Sequence, residues 1–140
     1  QDTVTLIDLN TLTQESDYIT LHMPLLDSTK NLFNTERLCK MKSSARIINV
    51  ARGGIINETD LANALNNDVI AGAAVDVFET EPLPSDHPLW SAPGMIITPH
   101  VAADPGPDLD EHRTNLFLDN CMRFNDGRPL RNVVDKAMWY

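Results

Sequence analysis

Basic residues are few in this chain: eleven lysines and arginines stand against twenty aspartates and glutamates, a formal charge of −9 over 140 residues. A nucleic-acid partner requires a positive face that displaces counterions from phosphate, so this balance excludes nucleic acid. An anionic membrane surface is excluded on the same ground. No apolar run approaches the ~20 residues of a membrane-crossing helix, and the polar start Gln1–Asp2–Thr3 is no signal peptide. Cysteine is scarce too. Cys39 and Cys121 are too few for a disulfide framework and lack metal-ligand spacing. With 42% hydrophobic residues, the chain still carries enough apolar surface for one domain core. A cytoplasmic α/β protein is the expectation.

Short apolar runs alternate with segments of helical spacing. Val4–Ile7 reads as a brief strand, followed by a helix over Asp8–Glu15 with Asn10 as a cap. Tyr18–Leu21, Arg46–Val50, Val69–Val77 and Met95–Thr98 read as further strands. Between them, Asn34 or Thr35 caps a short helix to Met41, and Asn57 caps another carrying Leu61, Ala64 and Leu65 on one face. Gly72 and its alanines would let a helix lie close to their strand. Glu79–Pro93 is a proline-rich loop. A helix from Pro107 to about Phe124 would bury Leu109, Leu116, Phe117 and Met122, and Gly127 ends it. Strands that are apolar throughout imply burial on both faces, and their alternation with helices implies a doubly wound parallel sheet.

The first glycine is Gly53, so the chain opens without the glycine-rich turn that follows strand one of a dinucleotide fold. The chain therefore reads as beginning inside a domain. His22, Arg52, Asp76 and His100 each stand at or just past the carboxyl end of an expected strand, the edge where open α/β sheets bind ligands. Arg52 precedes two glycines, and its guanidinium can grip a carboxylate through two parallel hydrogen bonds. Read alone, it is also a strand-end arginine in a surface salt bridge. His100 is suited to proton exchange near neutral pH, and Glu79 and Glu81 are candidate carboxylate partners for its ring. Taken by themselves, these acids also fit a solvated loop. Asp76 is either a backbone cap or a counter-charge, and His22 either lines a nucleotide pocket or packs on Pro24. His87 and His112 read as surface residues, while Trp90 and Trp139 fit either core or interface.

Four stretches, Ser16–Leu25, Ile48–Gly54, Ala73–Pro82 and Ile97–His100, with the tail Arg131–Asp135, stand in one order and spacing. Together they resemble the D-isomer-specific 2-hydroxyacid dehydrogenase family, over nearly the whole chain. The resemblance implies a Rossmann-like doubly wound sheet with NAD or NADP as cofactor and a small 2-keto or 2-hydroxy acid as substrate. It implies that Arg52 holds the substrate carboxylate, His100 exchanges the proton and Glu81, rather than Glu79, is its partner. His22, Pro24, Val50, Ala51 and Arg52 would line the dinucleotide, with Asp76 at its nicotinamide end and His100, Val101, Ala102 and Ala103 closing that side.

The stretch Val101–Pro107 departs from the small residues and hydroxyl side chain that usually follow the family histidine. Set against relatives, the chain reads as the carboxy-terminal part of a dehydrogenase. Residues 1–106 would complete the dinucleotide-binding domain, and 107–140 would return to a substrate domain lying outside this sequence. The full-length parent would be a homodimer. Two other readings are a dinucleotide-sensing regulator of corepressor type and an inactive orphan fragment.

Overall fold

Four short runs dominated by β-branched and small apolar residues form the sheet, as their composition favours. These are β1 (Tyr18–Leu21), β2 (Arg46–Asn49), β3 (Gly72–Val75) and β4 (Met95–Ile97). The computed structural model describes residues 4–103 and 107–136. The strands are parallel and lie in sequence order, with Ile19, Ile47, Ala73 and Met95 in register. All four carboxyl ends therefore share one edge, in the Rossmann-like arrangement expected from the sequence.

Val4–Ile7 is not a strand; Val4 and Leu6 are exposed and unpaired with the sheet. Four residues without a neighbouring strand cannot satisfy their backbone by ladder hydrogen bonds. The expected burial of both sheet faces is also corrected. Ile19, Leu21, Ile47, Asn49, Ala73 and Val75 are buried, while on the other face Gly72 is buried, Ile48 and Ala74 are half-buried, and Tyr18, Thr20, Arg46 and Ile96 are exposed. That open face carries the Arg46 guanidinium 6.0 Å from the centre of the Tyr18 ring.

Helix α1 (Leu9–Glu15) precedes β1, while α2 (Thr35–Leu38) and α3 (Glu58–Asn66) lie in the connections from β1 to β2 and from β2 to β3. The α1 cap is Asp8, whose carboxylate accepts from the Asn10 and Thr11 amides, so Asn10 is not the cap. Asn34 caps α2 and Asn57 caps α3. The α3 stripe of Leu61, Ala64 and Leu65 is buried against a core that includes Phe33, Leu38 and Ile47. Where the sequence suggested one irregular proline-rich loop, Pro88–Ser91 forms a 3-10 turn and buries Leu89. At Gly72 the close neighbour is no helix: a Cβ there would lie 2.7 Å from the Gly94 carbonyl oxygen, at the entry to β4.

The chain divides after Ala102 into two compact units. In the second, α4 (Pro107–Asn125) is followed by a tail clasped onto the helix. The Asn120 amide exchanges hydrogen bonds with the Arg131 backbone, and Asp119 takes Arg123 and Arg131. Phe117 and Met122, expected buried, are exposed, and Leu116 is half-buried. One helix and a short tail supply no second layer within their unit to cover an apolar stripe. The side chain of Leu109, the segment 104–106 and Trp139 lie outside the described residues. Among the described residues no helix is long and apolar enough to cross a membrane.

Candidate active site

Beyond the carboxyl end of β2 the chain must turn sharply, and Asn49 shapes that turn. It interrupts an apolar strand and is 2% exposed. Its Nδ2 donates to the Arg52 carbonyl at 2.9 Å, and its Oδ1 accepts from the Ala51 amide at 3.1 Å. A buried amide with both ends bonded is a strong local constraint. Gly53 follows, pressed against the Phe78–Glu79 peptide: a Cβ there would lie 2.0 Å from the Phe78 carbonyl carbon. Only glycine permits that approach. The Arg52 turn is thereby set beside the loop after β3.

That loop carries the acid. Glu81 Oε2 and His100 Nδ1 are 2.8 Å apart, and Glu81 Oε1 accepts from the Phe78 amide at 2.9 Å. The hydrogen bond to His100, then that from Phe78, holds the Glu81 carboxyl below its ordinary pKa. Glu79 pairs instead with Lys30 at 3.8 Å. Arg52, Glu81 and His100 line one cleft of about 340 Å³, with Leu25, Gly53, Val77, Phe78 and Glu79. A second cleft of about 420 Å³ shares Phe78, Glu81 and His100 and is walled by Pro82, Leu83, Trp90, Ile97 and Pro99. The surface salt bridge considered for Arg52 is not present: among the described residues its guanidinium meets no carboxylate, and Nη1 donates to the Ala51 carbonyl at 2.7 Å. A guanidinium, an imidazole and a carboxylate thus converge at the carboxyl edge of a parallel sheet.

The family model for the NAD-binding domain of D-isomer specific 2-hydroxyacid dehydrogenases matches residues 1–102. The chain belongs to this dehydrogenase family. A D-3-phosphoglycerate dehydrogenase of Synechocystis sp. is 43% identical over 134 residues, which cover 94% of this chain and 23% of the relative. A glyoxylate reductase of Thermofilum pendens is 48% identical over 96 residues, covering 69% of this chain and 28% of that protein. The crystal structure of a family member from Xanthobacter autotrophicus Py2, in complex with NADPH and MES, superposes with a TM-score of 0.82 at 36% identity. That match covers 94% of this chain and 55% of the Xanthobacter chain. The chain therefore spans well under half of these two curated relatives.

Within this 2-hydroxyacid dehydrogenase domain, Asp76 is a backbone anchor. It is 3% exposed. Its Oδ1 accepts from the Thr98 hydroxyl and, at 2.9 Å, from the Val101 amide, while Oδ2 accepts from the Ala102 amide at 2.9 Å. Burial by itself raises its pKa, but the bonds from Thr98, Ala102 and Val101 prevail and the carboxyl titrates below its ordinary value. The loop they fix contains His100, which sits at φ 55°, in the left-handed region that a non-glycine residue adopts at a cost. Asp76 holds both flanks of that residue.

His22 and Pro24 lie on the same sheet edge but do not line the Arg52 cleft; Leu25 does. The His22 ring is exposed, with Nε2 3.1 Å from the Thr20 hydroxyl. Val50, Val101 and Ala102 are exposed along the edge, Ala51 is half-buried, and Ala103, the first residue of the second unit, is exposed. His87, read as an unpartnered surface residue, is instead half-buried with Nε2 3.4 Å from Glu58 Oε2. Glu58 also accepts from the Glu79 amide at 2.6 Å. Sequence reasoning passed over Asn49 and Thr98. For Asn49 a signal existed, a polar residue closing an apolar strand; for Thr98 there was none, because its partner is distant in the chain.

Proposed function

We propose that this chain supplies the proton-exchange and carboxylate-binding groups of a D-2-hydroxyacid dehydrogenase acting on a small 2-keto or 2-hydroxy acid. The observation that carries this reading is the Glu81–His100 pair in one cleft with the Arg52 guanidinium. The carboxylate on Nδ1 orients the ring and favours the proton on that nitrogen, leaving Nε2, which has no partner among the described residues, to face substrate. In reduction the doubly protonated ring gives its Nε2 proton to the carbonyl oxygen and is left as the Nδ1–H form; in oxidation the Nδ1–H form takes the hydroxyl proton on Nε2. Arg52 grips the substrate carboxylate and sets the carbonyl against the imidazole.

The exposed edge suits a dinucleotide, since Val50 and Val101 offer uncovered apolar side chains beside the polar cleft. His22, Pro24, Val50–Arg52 and the Val101–Ala103 backbone would hold NAD or NADP there, with Asp76 acting through the Val101 and Ala102 amides it anchors. When bound, that cofactor supplies the hydride chemistry. The chain's own residues orient the acid and exchange the proton. A homodimeric, cytoplasmic parent belongs to the same reading.

The test is His100→Gln in a protein of the relatives' length carrying these residues, with NADH or NADPH oxidation followed over a panel of 2-keto acids. Turnover should fall roughly 10²–10⁴-fold, the usual worth of a general acid, with cofactor affinity little changed. Near-normal turnover removes the histidine from the reaction. Cofactor binding without turnover on any keto acid in the unaltered protein would favour the dinucleotide-sensing regulator.

A further inference from the structure

Glu58 and His87 lie outside the Arg52 cleft, yet they bear on the peptide from which the cleft is built. Glu58 opens α3, and its side chain is 12% exposed. Both its oxygens are engaged on loops that follow β3. Oε1 accepts from the Glu79 amide at 2.6 Å, and Oε2 lies 3.4 Å from His87 Nε2. The His87 ring accepts from the Leu89 amide on Nδ1 at 3.3 Å, so that nitrogen is unprotonated and Nε2–H points its donor at Glu58. Leu89 is fully buried, which roots His87 in the core.

The chain at Phe78 is consequently held from three directions, two of them on the Phe78–Glu79 peptide and one on the peptide before it. Gly53 presses on it from the Arg52 turn, Glu58 binds the Glu79 amide, and Glu81 Oε1 binds the Phe78 amide. Glu81 has only its other oxygen for His100, so its aim depends on where the Phe78 backbone lies. We propose that Glu58, braced by His87, is a positioning residue that sets the Phe78–Glu81 turn and through it directs Glu81 onto Nδ1 of His100. The inference rests on the reading of Glu81 and His100 as the proton-exchange pair, but its test needs no substrate.

The readout is the ring-nitrogen ¹⁵N shifts of His100 in the whole 140-residue chain, which report the nitrogen that carries the proton. In the unaltered chain the neutral ring should be mainly the Nδ1–H form, matching its contact with Glu81. Glu58→Ala removes the acceptor. Glu58→Asp keeps the charge but is one methylene too short to hold the Glu79 amide. In each, the neutral ring should shift to a majority of the Nε2–H form, while a dispersed amide spectrum shows the fold kept. Glu58→Gln retains an acceptor oxygen and should restore the Nδ1–H form. If Glu58→Ala does not fold, Glu58→Asp carries the same test. A folded Ala or Asp variant with unchanged His100 nitrogens overturns the proposal, as does a Gln variant that behaves like Ala. Because the measurement concerns placement, its failure is separate from failure of the turnover assay.

Discussion

Gly53 and Phe78 meet backbone to backbone, so closely that a β-carbon on Gly53 would lie 2.0 Å from the Phe78 carbonyl carbon and 2.1 Å from its oxygen. The contact joins the turn after β2, which bears Arg52, to the loop after β3, which bears Glu81. The Arg52 turn and the imidazole's partner are thus spaced by main chain, which is stiffer than any side-chain contact.

Gly53→Ala should therefore be costly although it adds one methyl group. The obstructing atoms are backbone and cannot rotate aside, so one turn must retreat from the other. A loss of about 1–3 kcal/mol in urea unfolding is expected, the usual range for overpacking. An unchanged denaturation midpoint would show that the two turns can part freely.

Asp76 makes stability depend on pH in a definite direction. Its carboxyl titrates below its ordinary value when folded. The folded state therefore binds the proton less readily than the unfolded chain, whose aspartate titrates at about 3.9. Stability from this group is fully present above that value and is lost as pH falls through the folded-state pKa. Asp76→Asn should flatten this acid limb. It should also cost about 1–3 kcal/mol at neutral pH, because an amide NH₂ would then face backbone N–H donors. Urea titrations of both proteins between neutral and acid pH check the sign; parallel curves would refute the assignment.

Arg52→Lys isolates the geometry of the anion grip from its charge. A lysine keeps the positive charge but presents no planar fork. In a protein of the relatives' length, kcat/KM for a 2-keto acid should fall roughly 10–100-fold, on the order of 1.5–3 kcal/mol for charge-assisted hydrogen bonds. Cofactor affinity should change far less. Equal kinetics for the two proteins would mean that no bidentate contact forms.

Local chemistry made much of this molecule legible. The Asn34 and Asn57 caps bond amides three residues ahead, so a short sequence window contains the whole interaction. The apolar runs and their alternation with helices likewise determined a parallel sheet, and a parallel sheet puts His22, Arg52, Asp76 and His100 on one edge. Nothing local could choose between Glu79 and Glu81 as the histidine's partner. That choice belongs to a contact spanning 19 residues, and the anchoring of Val101 by Asp76 to one spanning 25. The open sheet face has the same origin. An apolar strand records that its side chains can be buried, whereas actual burial requires another layer to lie over them. Sequence thus determined which groups reach the edge; tertiary structure decided which of them touch, because side-chain pairing across loops depends on how distant backbones pack.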